Sequence, residues 1–410
     1  MGRVGTRLEP TLLGDILSTH HRVLVAMSGG VDSSVTAYLL QQQGYECIGA
    51  TMLLACSGTA ADACGSTRDM RDAEAVCRRL GIPWHALDER GLFSKAVVDK
   101  FVRTYEEGRT PNPCIDCNRH LKFGALLDYA LELGCDAVAT GHYARVRPLG
   151  ELPGGTAQTD DPTLQAVFDR SANPGLVNTL SCGIDASKDQ SYVLYSLTQE
   201  RLAHTVLPLG DLIKERDVRR IAREQGFDNA GKRDSQGICF VPNNDFAGYI
   251  EHLHGEPLAT GDVLDAHGNV LGRHAGAIRY TIGQRKGLGV ACLHPVYVIA
   301  TDAAANTVTL GEREDLRADG LLANDWIWSL PADIMTQLLE EAGTEGIAAS
   351  ARIRYHHASR ACRLSFAGDA DTGCIRIAFD EPEYAIAPGQ AVVAYLGDVV
   401  VGGGTVVGAL

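Results

Sequence analysis

Two stretches of this chain carry side chains whose types and spacing could do chemistry. The first is SGGVDS, Ser28 to Ser33. It follows the apolar run HRVLVAM and opens a segment of helical spacing, so it predicts a strand, a glycine turn and a helix start. Glycines let a phosphate approach the backbone, and N–H groups at a helix start complement its charge. Ser28, Ser33 and Ser34 add hydroxyls. No Gly-Lys-Ser/Thr follows and no GxGxxG is present, which excludes a Walker loop and a dinucleotide fingerprint. The second stretch is TPNPCIDCN, Thr110 to Asn118, with Cys114 and Cys117 three residues apart. Such a pair can bind metal, do redox chemistry or carry sulfur, and spacing alone does not choose. There is no second CxxC, and Cys56 and Cys64 are poorly spaced for zinc. Cys239, in RDSQGICFV, is a candidate third sulfur. Arg119 and Lys122 would favour the thiolate form of a neighbouring thiol.

The elements that must position these residues form an alternating pattern. HRVLVAM, YECIGATMLL, IPWHALD and CDAVATGHY read as strands, with helical spacing at Arg68–Leu80, Leu92–Tyr105 and Leu121–Leu133. That alternation predicts an α/β, doubly wound parallel sheet. Residues 148–175 hold glycines, prolines and aspartates with weak periodicity, as expected of a flexible surface insertion. A further helix is expected at Asp217–Gln225. From about Lys232 short strands alternate with glycine turns, and past Pro295 runs such as VYVIATD and CIRIAFD have period two, the mark of a small β-barrel. The expected order is an N-terminal catalytic domain over 1–231, a small central domain over 232–295 and a C-terminal β-barrel over 296–410.

Composition narrows the function classes. The 410 residues include 37 Lys and Arg against 51 Asp and Glu, a net charge of −14, which argues against indiscriminate nucleic-acid binding but permits a local basic face. The run from Arg216 to Arg223 is interleaved with acids and reads as a solvated helix face. Twelve cysteines in so long a chain are not a disulfide scaffold. Cys47, Cys77, Cys135, Cys182, Cys292, Cys362 and Cys374 read as small apolar residues. No run approaches the roughly 20 apolar residues of a membrane span. The first 21 residues lack the apolar core of a secretory signal and read as a short extension of a cytoplasmic protein.

The loop SGGVDS resembles the pyrophosphate loop of the PP-loop ATP pyrophosphatases (adenine nucleotide alpha-hydrolase-like fold), which cleave ATP between the α and β phosphates. The blocks AMSGGVDSSV, GRTPNPCIDCNRHLKFG, ATGHYAR, KDQSYVLYSL, DSQGICF, YTIGQRKGLG, RYHH and EPEYAIAPGQAVVAY then resemble, in order and over nearly the whole chain, the bacterial tRNA-specific 2-thiouridylases, or tRNA-uridine 2-sulfurtransferases. The resemblance implies ATP and Mg²⁺ as cofactors, and 2-thiouridine, AMP and pyrophosphate as products. It implies ATP binding by Ala26, Met27, Ser28, Gly29, Gly30, Val31, Asp32 and Ser33, with Met52 and Gly141 on the adenine side. Cys239 matches the persulfide carrier, and Cys117 the partner thiol that frees the sulfur and can pair with it as a disulfide. Asn112, Pro113 and Cys114 match the segment that meets the target base. His142, Lys188, Asp189, Gln190, Arg354, Tyr355 and Gln390 match tRNA-contacting positions. Implied partners are glutamate, glutamine and lysine tRNAs and a sulfur donor such as a cysteine desulfurase or persulfide carrier.

Two departures open alternatives. Some relatives have Asp where this chain has Cys114; a thiol there makes a set, Cys114, Cys117 and Cys239, that could hold an iron–sulfur cluster and deliver hydrosulfide instead. LLACSGTAADACGS, Leu53 to Ser66, replaces an acidic, tryptophan-containing segment, and the role of Cys56 and Cys64 in it stays open. Rival readings are another PP-loop enzyme, such as an amide-forming synthetase, and a non-catalytic tRNA-binding module with a relic loop.

Overall fold

The computed structural model describes residues 21–54, 66–151, 161–232, 237–291, 293–368 and 373–410. The N-terminal extension, Cys56, Cys64, Cys292 and Arg233–Gln236 of the RDSQ segment therefore lie outside the described residues.

A five-stranded parallel sheet organises the first part, in the order Trp84–Asp88, Glu46–Leu53, Arg22–Ala26, Ala137–Ala139, Thr205–Val206. The central strand, RVLVA, buries Val23, Leu24 and Val25 completely, as a strand covered on both faces must. Four of these strands follow the sequence reading; the short fifth, Thr205–Val206, has no alternation to reveal it.

Tyr297–Asp302, Thr307–Gly311, Gly261–Leu264 and Val270–His274 form a separate four-stranded sheet. The first two, expected within the C-terminal unit, thus pair with strands of the central region. The rest of the chain closes a six-stranded antiparallel barrel. Its order is Arg317–Trp328, Ile375–Tyr384, Arg360–Phe366, Ile347–Arg352, Ala391–Leu396 and Val399–Ala409, which returns to Arg317–Trp328. Closure removes the unpaired edges that an open sheet would expose.

The 148–175 segment departs from expectation in its described part. Asp161 caps the helix Pro162–Arg170 by accepting from the N–H groups of Thr163 and Leu164. Leu164 and Val167 are buried in the barrel's core cluster. The flanking strands Ala144–Pro148 and Asn178–Cys182 pair with each other and reach the barrel through Ser181 and Val399. Ile115 and Phe123 of the cysteine segment share a core with Tyr192–Tyr195 and with barrel residues Ala391, Val393 and Tyr395. At Gly403 a side chain would collide with the Tyr195 ring, so glycine there permits the close approach.

Candidate active site

The sheet order reverses beside the central strand: the chain leaves Arg22–Ala26 toward one edge and returns to its other side with Ala137–Ala139. Ligands of open α/β sheets bind at that point, beyond the carboxyl ends of the strands. Val25 registers with Ala139, so Ala26–Ser28 emerge beside Thr140–His142. At Gly141 an added Cβ would lie 2.9 Å from Asp32 Cβ and 3.1 Å from Ser33 N, so only glycine allows this junction.

The loop is fixed from outside. Gly29 has φ +71°, the left-handed region that favours glycine, and abuts Asp69 of the helix Thr67–Leu80. Its carbonyl accepts from Asn229 Nδ2 at 3.1 Å and Lys232 Nζ at 3.3 Å; Lys232 also pairs with Asp69 and Asp72. Ser33 Oγ accepts from Ser28 N and donates to Gly30 O. The helix Val31–Gln42 starts with no side chain capping its N–H groups, an anion-binding arrangement. Asp32 accepts from Tyr143 Oη at 2.7 Å and from the buried Lys214 Nζ at 2.8 Å. Asn229, Lys232 and Lys214 were not anticipated; their partners lie 160 to 203 residues away along the chain, beyond any local pattern.

The resulting cleft takes in about 770 Å³ when its solvent-open mouth is included. Of the expected ATP residues, Ala26, Met27, Ser28, Asp32, Ser33, Met52 and Gly141 line it, whereas Gly29, Gly30 and Val31 build the turn behind it. His142 and Gln190, matched to tRNA contacts, also line the cleft, as does Lys122. Gln190 is held there by Tyr143 N, which donates to its Oε1 at 3.1 Å. His142 is buried, with Nδ1 2.7 Å from Thr140 Oγ1 and Nε2 3.4 Å from Lys122 Nζ. Burial first, then the Lys122 charge, holds its pKa well below the ordinary 6.5. The ring is therefore neutral, and Nε2 faces Lys122 as an acceptor while Nδ1–H donates to Thr140.

The cysteine segment is more ordered than a loop. Pro113 begins a helical turn, Pro113–Asp116, which widens over Cys117–Ala125 and continues as Leu126–Glu132. Cys114 is exposed and Cys117 half-buried. Cys117 packs against a cluster containing Leu121, Phe240 and Val241, with Ile238 at its margin. Phe240, the residue after Cys239, is anchored edge-on by Phe93 at 5.5 Å and Phe101 at 5.2 Å. Exposed Cys239 is thus tethered to the hydrophobic cluster on which Cys117 rests. No group of three His, Cys, Asp or Glu placed to hold a metal ion occurs among the described residues. Arg119 is turned toward the barrel, pairing with Asp325 at 2.9 Å. Of the cysteines read as apolar, Cys47, Cys77, Cys135 and Cys362 are buried and Cys182 and Cys374 half-buried.

The barrel grips the entry to this segment. Gln390 Nε2 donates to Thr110 O at 3.2 Å, and Thr110 N donates to Pro388 O at 2.9 Å. Gln390 so positions the turn carrying Asn112 and Pro113. Half-buried Tyr355 lies near enough to Cys114 for the thiol's charge to act on it; burial first, then Asp189 and Cys114, pushes its phenol up to about 12. Arg354 is exposed and donates to Tyr384 O. Asp189 faces inward: it takes N–H bonds from Gly183 and Ser191 and pairs with Arg352 at 2.7 Å, its side chain 5% exposed. Its neighbour Lys188 is half-buried. Asp189 therefore joins the two parts of the molecule, and a contact with an external ligand through its carboxylate would break that pair.

Comparison with known proteins is consistent across the length. Residues 21–243 match the family model "tRNA methyl transferase HUP domain", residues 249–312 the "tRNA methyl transferase PRC-barrel domain" and residues 319–406 the "Aminomethyltransferase beta-barrel domain". Proteins named tRNA-specific 2-thiouridylase MnmA align nearly end to end. That of Moorella thermoacetica is 45% identical over 93% of this chain and 98% of its own. That of Carboxydothermus hydrogenoformans is 43% identical over 94% and 97%, and that of Lachnoclostridium phytofermentans 40% over 94% and 99%. A solved 4-thiouridine synthetase–RNA complex with bound ATP overlaps 57% of this chain and 50% of its own at 16% identity and TM-score 0.30. With relatives of this identity covering almost all of both sequences, the chain belongs to the tRNA-specific 2-thiouridylase family.

Proposed function

We propose that this protein is a tRNA-uridine 2-sulfurtransferase, using ATP to activate the C2 oxygen of a wobble uridine and cysteine sulfur to replace it. The observation that carries this reading is the adjoining of two segments: Lys122, on the wide-turned helix that begins with Cys117, lines the same cavity as Ser28 and Ser33 of the phosphate loop, while Cys114, Cys117 and Cys239 lie outside that lining. The domain descriptions speak of methyl transfer, the relatives' names of thiolation. A phosphate loop whose cleft is also lined by the CxxC-bearing helix favours thiolation, because methyl transfer does not require cleavage of ATP between its α and β phosphates.

In this reading the loop N–H groups, Ser28 and Ser33 hold the phosphates. Uridine O2 attacks the α-phosphorus, an O2–P bond forms, and pyrophosphate leaves. An unpaired wobble base reaches such a pocket at modest unstacking cost, entering between Cys114 and Tyr355. The outer sulfur of a Cys239 persulfide then attacks C2 and AMP departs with the C–O electron pair. The Cys117 thiolate attacks Cys239 Sγ, releasing the sulfur on the base as 2-thiouridine and leaving a Cys117–Cys239 disulfide, which an external thiol reduces. Mg²⁺ would come with the nucleotide, its ligands mostly phosphate oxygens and water, and needs no protein cage; it would offset charge on the phosphates. The alternative is that sulfur arrives as hydrosulfide on an iron–sulfur cluster, which Cys114, Cys117 and Cys239 would hold.

The cytoplasm is the expected location; no described helix is long and apolar enough to cross a membrane. Glutamate, glutamine and lysine tRNAs, with a cysteine desulfurase or persulfide carrier, complete the proposed system. The test is product dependence: pyrophosphate should appear when unmodified tRNA and Mg·ATP are supplied, and AMP as well once a persulfide donor is added, and neither with ammonia or an amino acid in place of tRNA. Release that ignores tRNA would reject the reading.

A further inference from the structure

The cleft has a charge requirement that its loop does not meet alone. Its described lining holds one carboxylate, Asp32, one lysine, Lys122, and no arginine. Asp32 is already compensated from behind by Lys214 and Tyr143. His142, the other basic side chain of the lining, is buried without charge. A triphosphate seated on the loop therefore meets Lys122 as the side-chain cation of the cleft.

The backbone gives this lysine a second distinction. From Cys117 to Ala125 the helix is wound in wide turns, the last closed by Leu126 N–H on Leu121 O, five residues back. Such turns link residues five apart through the backbone hydrogen bond, and wide turns of this kind recur at functional sites. Cys117 and Lys122 are five apart. In an ordinary α-helix they would point about 140° apart around the axis; the wider winding narrows that angle, with Cys117 resting on the cluster of Leu121 and Phe240 and Lys122 lining the cleft. His142 Nε2 accepts from the ammonium at 3.4 Å and steadies it in the cavity.

We infer that Lys122 is a catalytic residue of the thiolation reaction, contacting the α-phosphate oxygens of ATP during attack by uridine O2 and the same oxygens on AMP as sulfur displaces it. The assignment rests on the sulfurtransferase reading above. Lys122 transfers no proton. In the first step the O2–P bond forms as the P–O bond to pyrophosphate breaks. In the second the C2–S bond forms as the C2–O bond breaks, its electron pair going to AMP. The ammonium offsets the charge gathered on the phosphoryl oxygens in both.

The test uses the full-length protein, unmodified tRNA transcript and Mg·ATP, following single-turnover pyrophosphate release and, separately, ATP affinity by titration. Lys122→Gln should slow pyrophosphate release on the order of 10²-fold, as loss of one preorganised donor to a transition state does, while ATP affinity falls less than about tenfold. Lys122→Arg, which keeps the charge, should release pyrophosphate within about tenfold of wild type and guards against a folding defect. Four outcomes overturn the assignment. Lys122→Gln may not differ from wild type; its loss may lie wholly in affinity; or Lys122→Arg may fall as far as Lys122→Gln with ATP still bound. In the fourth, wild type releases no pyrophosphate with tRNA, which rejects the sulfurtransferase reading and this role together.

Discussion

Replacing Gly141 by alanine puts a methyl group into the narrowest junction of the cleft. The new Cβ would stand 2.9 Å from Asp32 Cβ, 3.0 Å from Asp32 C and 3.1 Å from Ser33 N, some 0.3–0.5 Å inside ordinary contact. None of these atoms can yield cheaply. Asp32 is pinned by Lys214 and Tyr143, and Ser33 Oγ is tied to Ser28 and Gly30. Overpacking of this kind costs about 1–3 kcal/mol. If the strain falls on the loop that ATP needs in place, the Kd for ATP rises about 5- to 150-fold, at 1.4 kcal/mol per tenfold. Calorimetric titration with Mg·ATP, without tRNA, measures this directly. Gly91→Ala is the control, since nothing lies within 4 Å of a Cβ there. Undiminished ATP affinity in Gly141→Ala would refute the argument that this junction shapes the nucleotide site.

Arg352→Met leaves the Asp189 carboxylate buried without its partner and should destabilise the protein by about 3–5 kcal/mol; thermal unfolding and limited proteolysis report it. Asp189→Asn combined with Arg352→Met should cost less than the sum of the two single changes, and strict additivity would contradict the pairing. His142 resists protonation when folded, while the unfolded chain takes the proton near pH 6.5. Its contribution to stability is therefore complete above about pH 6.5 and is lost as pH falls below that, by up to about 1.4 kcal/mol per pH unit. His142→Asn should flatten that decline relative to wild type, and parallel curves would show that His142 does not titrate this way.

How much of this was legible before the fold was known follows from the range of each interaction. SGGVDS announced its strand–turn–helix because glycine, serine and hydrophobic pattern act within a few residues, and the cleft forms around it. The interleaved run at Arg216–Arg223 is a surface of short-range pairs, Arg219 with Glu215 and Arg220 with Glu224, as it reads. Two residues earlier, Lys214 looks the same in sequence yet is buried against Asp32, 182 residues away. Nothing local separates the two cases. Asp189 likewise sits in a polar, solvent-like run, and the barrel's Arg352, 163 residues away, supplies the charge that compensates its burial. The wide turn over Cys117–Ala125 has the composition of an ordinary helix; its winding becomes visible only when Ile115 and Phe123 pack against the barrel while Leu121 faces Phe240 and its neighbours. Leu164 and Val167 show a helix in retrospect, obscured by the glycines and prolines around them.

The central claim is that one cleft adenylates uridine O2 and that Cys117 and Cys239 deliver its replacement. Nucleoside mass spectrometry of unmodified glutamate or lysine tRNA, incubated without air with the protein, Mg·ATP and a persulfide donor, tests it most directly. The account predicts 2-thiouridine with wild type and none with Cys117→Ala or Cys239→Ala. Uridine left unmodified by the wild-type protein, or 2-thiouridine formed at the wild-type rate by either variant, would contradict it.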